Sequence, residues 1–110
     1  MDEGRARSVG VNEGLFREVN EMVREVGAGI DRPDDSLGFL CECGDANCIE
    51  EVSMRVSEYE GVRRDATLFF VVTGHEAPDV EEVVEEKGTY NIVRKRPGLP
   101  EEIARDTHPR

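Results

Sequence analysis

The sequence contains no tryptophan, and aromatic residues occupy only 5% of its 110 positions. The hydrophobic core must therefore be built mainly from valine, leucine and isoleucine, within the single modest core that a chain of this length can bury. No apolar run approaches the roughly 20 residues of a membrane span. The first residues also lack the apolar segment of a secretory signal. These absences predict a single cytoplasmic domain that does not contact a membrane.

Positive charge is scarce: 14 lysine and arginine residues stand against 25 aspartates and glutamates, which gives a formal net charge of −11. A surface this acidic repels the phosphates of nucleic acids and of anionic lipids at long range. The basic run Arg94-Lys95-Arg96 is too short to reverse that repulsion. We therefore predict that nucleic acid and membranes are not partners, and that a protein with a basic surface is the partner class to expect.

Cysteine and histidine are also rare, yet the three cysteines all lie within eight positions. Cys41, Cys43 and Cys48 form a C-x-C-x4-C pattern, in which Gly44 and Asn47 favour a tight turn. An odd number of cysteines without an export signal argues against a disulfide framework and for reduced thiols. The cluster therefore predicts a metal site. A redox switch without metal and inert buried thiols are the alternatives.

A structural zinc ion takes four tetrahedral ligands, and three cysteines with one histidine are a common set. The sequence has two histidines. His75 follows a predicted strand, whereas His108 lies in a predicted tail, where ordering a ligand costs more entropy. We therefore predict a zinc site with these ligands: Cys41, Cys43, Cys48 and His75. Asp45 or a water molecule is the alternative fourth ligand.

An iron–sulfur cluster is the alternative cofactor, because three cysteines and one histidine also occur in the CDGSH iron–sulfur family. The chain resembles that family only in its C-x-C pair, since Cys48 is followed by Ile49-Glu50-Glu51-Val52 and not closely by a histidine. Catalytic signatures are incomplete: His75-Glu76-Ala77-Pro78-Asp79 lacks the second histidine of an H-E-x-x-H helix. A structural site is therefore favoured over a metalloenzyme of unknown reaction, for which Glu42 and Glu76 are the candidate bases.

The first part of the chain predicts a lead-in and one amphipathic helix. Residues 1–11 show no periodicity and are expected to be disordered. Four apolar residues then recur at spacings of four, three and four: Leu15, Val19, Met22 and Val26. This stripe indicates a helix that is capped by Asn12, ends in Gly27-Ala28-Gly29 and faces the core. Because the spacing also suits a coiled-coil seam, a homodimer through this helix is the alternative.

The remaining residues predict five short strands, so we expect an α+β fold with a small antiparallel sheet cross-linked by zinc. A loop is expected over residues 31–36, and strands at 37–43, 49–56, 66–72, 79–87 and 89–95. The strand at 66–72 is apolar on both faces, which predicts a central position.

Two further elements depend on capping patterns. Ser57 and Glu60 form a capping box that predicts a short helix ending near residue 64. Residues 79–87 can be a helix by the same rule, but a hairpin through Lys87-Gly88 is favoured, and its many carboxylates are expected to form a solvated face. The domain is predicted to span residues 12–96, followed by a flexible polar tail over 97–110.

The run Phe39-Leu40-Cys41-Glu42-Cys43-Gly44 with Cys48, the run at 58–63, and Gly74-His75-Glu76 resemble a group of short, uncharacterised actinobacterial proteins. The resemblance extends over roughly residues 12–95. It implies that the cysteines share one site with His75 and implies no particular activity. We expect a small acidic zinc protein that acts as a protein-interaction or regulatory module. A thiol-based redox or metal sensor that releases zinc on oxidation is the alternative.

Overall fold

The computed structural model describes residues 3–28 and 36–110, and it shows the predicted α+β fold. Within these ranges lie α1 Glu3–Ala28, β1 Ser36–Leu40, β2 Glu51–Arg55, α2 Val56–Arg63, β3 Leu68–Val72, β4 Glu81–Glu86, β5 Tyr90–Lys95 and α3 Leu99–Asp106. The loop predicted over 31–36 lies outside the described residues, apart from Ser36, which begins β1. No helix in the described ranges is long and apolar enough to cross a membrane.

The five strands pair antiparallel, as predicted, but they form two sheets: β1 with β2, and a second sheet in the order β3-β5-β4. Residues 79–87, for which the sequence allowed either a helix or a strand, contain the strand β4. It forms the predicted hairpin with β5, where the Lys87 N–H donates to the Tyr90 carbonyl at 2.9 Å and Gly88 has a φ of +94°. Glycine adopts this left-handed conformation without the steric cost of a Cβ atom.

Two apolar clusters lie on opposite faces of β3. On one face, Phe70 packs against Phe39 and Tyr59, whose rings stack with centroids 4.4 Å apart. The other face carries a cluster that includes two of the cysteines: Cys41, Cys43, Phe69, Val71, Val93 and Ala104. The prediction that this strand is covered on both faces is confirmed, although β5 and not β3 is the central strand of its sheet.

The start of α1 corrects the predicted lead-in. The helix begins at Glu3 and not at Asn12, and both Ala6 and Val9 are buried. Gly10 and Gly14 allow α3 to approach: a Cβ atom at these positions would lie 2.6 Å from Ile103 and 2.9 Å from Thr107. The small residues that made the segment look disordered therefore form a close contact between two helices.

The buried face of α1 is not the predicted apolar stripe. Leu15, Met22 and Val26 are 56%, 64% and 73% exposed. The buried face instead carries three polar side chains: Glu13, Arg17 and Asn20. The prediction that the stripe faces the core is therefore wrong, because the helix is held to the domain by specific polar contacts.

Arg17 binds the C-terminal segment, residues 97–110, which the sequence predicted to be a flexible tail. Its guanidinium donates to the carbonyls of Ala66 at 2.8 Å and Ala104 at 2.6 Å, and to Thr107 Oγ1 at 2.9 Å. It also lies 4.2 Å from the centre of the Phe69 ring. Residues 97–110 therefore include the helix α3, packed against α1, and the prediction of a flexible tail is corrected.

Two smaller predictions are also corrected. α2 has Arg55 as its N-cap and not Ser57, with Glu58 accepting the Arg55 N–H at 3.1 Å. The acidic segment around β4 is not a uniformly solvated face, because Glu81 is 1% exposed.

Glu81 belongs to a buried ionic cluster that joins α1 to the three-stranded sheet. Lys95 Nζ lies 2.5 Å from the carboxylate oxygens of both Glu13 and Glu81, and all three side chains are at most 2% exposed. One ammonium group balances only one of the two carboxylates. Burial raises the pKa of Glu13 to about 8; Lys95 opposes that rise and Glu81 adds to it. Glu13 therefore carries a proton at neutral pH.

Glu13→Gln is expected to flatten the pH dependence of stability. Between pH 4.5 and about 8 the folded chain holds a proton on Glu13 that the unfolded chain has released, so the free energy of unfolding falls by about 1.4 kcal/mol per pH unit. Glutamine keeps an acceptor for Lys95 and does not titrate. Urea unfolding measures the free energy of unfolding at pH 5.5 and at pH 7.5. Between these two pH values it should fall by about 2.5 kcal/mol more in the wild type than in the variant. Equal losses would refute the buried proton.

Candidate metal centre

The three cysteines lie on the loop between β1 and β2, where Asp45 shapes the turn. Asp45 Oδ1 accepts the Asn47 N–H at 2.9 Å, and the Asp45 carbonyl accepts the Cys48 N–H at 3.0 Å. These bonds reverse the chain and bring Cys48 back beside Cys43. The Asp45 carboxylate, the alternative fourth ligand, is not in the group of side chains close enough to share one metal ion.

Two asparagines of α1 hold the start and the middle of this loop. Asn12 Nδ2 donates to the Gly44 carbonyl at 3.0 Å. Asn20 donates to the Leu40 carbonyl at 3.0 Å and accepts the Leu40 N–H at 2.8 Å. Asn12 is thus not the predicted helix cap; it lies within α1 and fixes the backbone between Cys43 and Asp45.

The loop also bonds to β3, and this contact places His75. The Glu42 N–H donates to the Phe70 carbonyl at 2.9 Å, and the Val72 N–H donates to Cys41 Sγ at 3.2 Å. Immediately beyond β3, the His75 N–H donates to the Val72 carbonyl at 2.9 Å and closes a turn. The turn brings the imidazole to the same end of β3 as the thiols.

The structure brings the four predicted site residues together. One sulfur or nitrogen atom from each of Cys41, Cys43, Cys48 and His75 lies within 4.8 Å of all the others. His75 Nδ1 is 3.6 Å from Cys41 Sγ and 3.7 Å from Cys48 Sγ. Tetrahedral zinc, with Zn–S near 2.3 Å and Zn–N near 2.0 Å, separates neighbouring ligand atoms by about 3.5 to 3.8 Å. The donor set therefore fits one metal ion.

The surroundings of the thiols oppose their ionisation. Burial raises the pKa of Cys41 and Cys43, and the Cys48 sulfur raises it further, while backbone N–H groups of Val72 and Asp45 lower it. Three thiolates facing one another would repel strongly in this buried setting. A divalent cation that replaces the thiol protons removes this repulsion, so metal binding is coupled to proton release.

Glu50 is a site residue that the sequence prediction missed. Its Oε2 lies 2.7 Å from His75 Nε2, on the side of the ring away from the sulfurs. This contact favours a proton on Nε2 and leaves Nδ1 with a free electron pair directed at the thiols. A carboxylate behind a histidine ligand is a common arrangement in metal sites. The only feature of the sequence that points to Glu50 is its position two residues after Cys48.

Glu50→Gln is expected to weaken metal affinity by about 10-fold. Outer contacts of this kind are worth roughly 10- to 100-fold, and the low end applies because Glu50 is 56% exposed. Competition with a zinc-selective dye measures the change. The matched control is Glu51→Gln, which alters the adjacent exposed carboxylate, lies outside the ligand group and should leave affinity unchanged. Equal effects of the two substitutions would argue against a role for the Glu50–His75 contact.

The other candidate residues lie outside the ligand group. Glu42 is fully buried and paired with Arg63. Glu76 Oε1 accepts from Asn91 Nδ2 at 2.8 Å. His108 Nε2 lies 2.8 Å from the Arg63 carbonyl, and His108 is not in the ligand group. A cleft of about 520 Å³ adjoins Cys43 and His75 and is lined also by Glu76, whose Oε2 has no hydrogen-bond partner among the described residues. Glu42, buried in its pair with Arg63, does not line this cleft.

Comparisons of the chain with protein-family models, with curated proteins and with solved structures found no match. The resemblance to the actinobacterial group stays a prediction. Function is therefore argued from the residues of the site.

Proposed function

We propose that this chain binds one zinc ion through Cys41, Cys43, Cys48 and His75, and that the ion has a structural role. The observation that carries the proposal is the group of three sulfurs and one imidazole nitrogen within 4.8 Å of one another. A catalytic zinc keeps a coordination position open for water or substrate, whereas four protein ligands close the site.

The zinc ion would cross-link the cysteine loop to the end of β3. Apparent binding free energies of structural zinc in finger peptides are about 10 to 16 kcal/mol. The stability of a whole domain is about 5 to 15 kcal/mol. In a chain with few aromatic residues, the metal would thus supply a large share of the stability.

The same distances favour zinc over an iron–sulfur cluster. A cluster distributes its protein ligands over two or more iron atoms, which places some of the ligand atoms well apart. The imidazole nitrogen here is 3.6 and 3.7 Å from two of the sulfurs. These separations are those of ligands on one ion.

Because four protein ligands would close the site to substrate, the role we propose is that of a protein-interaction or regulatory module. The exposed apolar residues of α1 support it, since Leu15, Met22 and Val26 are all more than half exposed. A protein partner is favoured over nucleic acid, because the basic run at residues 94–96 is largely engaged within the chain. Lys95 is buried between two carboxylates, and Arg96 donates to the Pro78 carbonyl at 2.9 Å.

The two histidines provide a matched test. His75→Ala removes a ligand and should weaken zinc binding by more than the roughly 10- to 100-fold typical of an outer-shell change. His108→Ala should leave zinc affinity at the wild-type value, because that ring bonds to a backbone carbonyl outside the ligand group. Zinc affinity is read by chelator competition. Equal affinities of the two variants would contradict the proposed ligand set.

A thiol-based sensor is the second candidate, and the partial exposure of Cys48 and His75 favours it because an oxidant can reach that edge of the site. Hydrogen peroxide would oxidise two thiolates to a disulfide, be reduced to water, and release zinc. Mild peroxide should then release zinc, and a thiol reductant should restore binding. A site that keeps its zinc under peroxide would exclude this second role.

A further inference from the structure

The apolar stripe of α1 forms one wall of a surface groove, called here the α1/β1 groove. Its lining comes from the last part of α1 and the first part of β1: Val19, Met22, Val23, Val26, Gly27, Leu37 and Gly38. The groove has a volume of about 360 Å³. Leu37 forms its floor by packing directly over Gly27, where a Cβ atom would collide with it.

This groove is open although most of its lining is hydrophobic. Met22 and Val26 are 64% and 73% exposed, and Leu15 continues the same ridge at 56%. The stripe from Leu15 to Val26 spans about 16 Å at 1.5 Å per residue. Its spacing of four, three and four is the spacing with which helices pack side by side. A contiguous exposed patch of this kind marks an interaction surface.

Two carboxylates of α1 flank the apolar ridge that forms one wall of the groove. Glu18 and Glu25 are exposed and follow this ridge along the helix. Neither carboxylate makes a hydrogen bond or ion pair with another residue of the described ranges. An apolar ridge beside unpaired carboxylates complements an apolar stripe that is bordered by lysines or arginines.

We infer that the α1/β1 groove binds an amphipathic helix of another protein, whose apolar stripe is flanked by basic residues. A second copy of this chain is a poorer occupant. It would bring the Glu18 and Glu25 carboxylates of both copies towards one shared seam, between two molecules that each carry a net charge of −11. The inference rests on the proposed role as an interaction module and is independent of which metal the site holds.

The two walls of the groove are bonded to each other next to the cysteine loop. Asn20 of α1 makes two hydrogen bonds with the backbone of Leu40, the last residue of β1. The residue that follows Leu40 is Cys41. Loss of the metal would loosen the loop that follows β1. Peptide binding should therefore be measured on the zinc-loaded full chain.

The test uses two synthetic 18-residue peptides of the same leucine and lysine composition. One has leucines at helical spacing, and the other has a scrambled order with the same charge. Isothermal titration calorimetry should give the amphipathic peptide at least a 10-fold lower Kd. Met22→Ser combined with Val26→Ser should remove that difference. The matched control is Val83→Ser with Val84→Ser, which changes two valines that are 40% and 46% exposed on β4 and should leave the difference intact.

Each outcome decides between occupants. Equal affinity for the two peptides would mean that charge alone drives binding, and would overturn the inference. Sedimentation of the wild type as a dimer that Met22→Ser/Val26→Ser abolishes would assign the groove to a second copy and would also overturn it. A folded chain that holds no zinc, yet discriminates the peptides, would refute the proposed zinc site while supporting the docking surface.

Discussion

Cys41→Ser is expected to abolish stoichiometric zinc binding and to lower the melting temperature by more than about 12 °C. The substitution removes one of three thiolates, and Cys41 is the ligand that also accepts the Val72 N–H at 3.2 Å. A loss of about 3 kcal/mol is a modest fraction of the binding free energy of structural zinc. For a chain of this size, each kcal/mol shifts the melting temperature by about 4 °C. Thermal unfolding followed by circular dichroism measures the shift.

Chelation provides the control for this variant. A strong chelator should lower the melting temperature of the wild type towards that of Cys41→Ser and should have no further effect on the variant. Because serine is nearly isosteric with cysteine, the comparison separates loss of the ion from loss of packing. A variant that melts with the wild type, together with a wild type that ignores the chelator, would refute the structural role of the metal.

Arg63→Leu is expected to destabilise the fold by about 3 to 5 kcal/mol. Both side chains of the Arg63–Glu42 pair are fully buried. Arg63 also lies 5.0 Å from the centre of the Tyr59 ring. Leucine would leave the Glu42 carboxylate buried without its cation, at the position between Cys41 and Cys43 in the chain. Urea unfolding measures the loss, and zinc affinity should fall in parallel.

The double variant Glu42→Leu/Arg63→Leu separates the charge from the packing. Replacing both members of a buried pair by apolar residues costs less than leaving one charge unpaired. The double variant should therefore be more stable than Arg63→Leu alone. A double variant that is the less stable of the two would show that the pair contributes through its hydrogen bonds and not through mutual neutralisation.

Local patterns were sufficient to predict the strands and the site. The apolar run around Phe69 and the hairpin at Gly88 are signals that neighbouring residues carry by themselves. The grouping of the three cysteines with one histidine was predictable because a structural metal site takes four ligands and the chain offers only two histidines. Of these, His75 follows a strong strand and His108 does not.

The orientation of α1 could not be predicted, because the contacts that set it join residues far apart in the sequence. Arg17 bonds to Ala66 and Ala104, and Glu13 meets Lys95. Hydrophobic periodicity assigns the apolar side of a helix to the core. In α1 the polar contacts of the buried face outweigh this tendency, and the apolar side of the helix faces solvent.

The start of α1 and the role proposed for Glu50 were missed for the same reason, because both depend on contacts between residues far apart in the sequence. Gly10 and Gly14 lower the intrinsic helix propensity of the segment before residue 15, and only the docking of α3 explains them. Glu50 was overlooked because nothing in its neighbourhood distinguishes it from the other carboxylates of an acidic chain. Its role is visible only once His75 stands next to it.

Native mass spectrometry of the full chain, combined with an absorption spectrum, tests the central claim most directly. A zinc ion bound by Cys41, Cys43, Cys48 and His75 predicts one zinc per chain, loss of the thiol protons it replaces, and no visible colour. A folded chain without metal, or a coloured protein with several iron atoms, would contradict it.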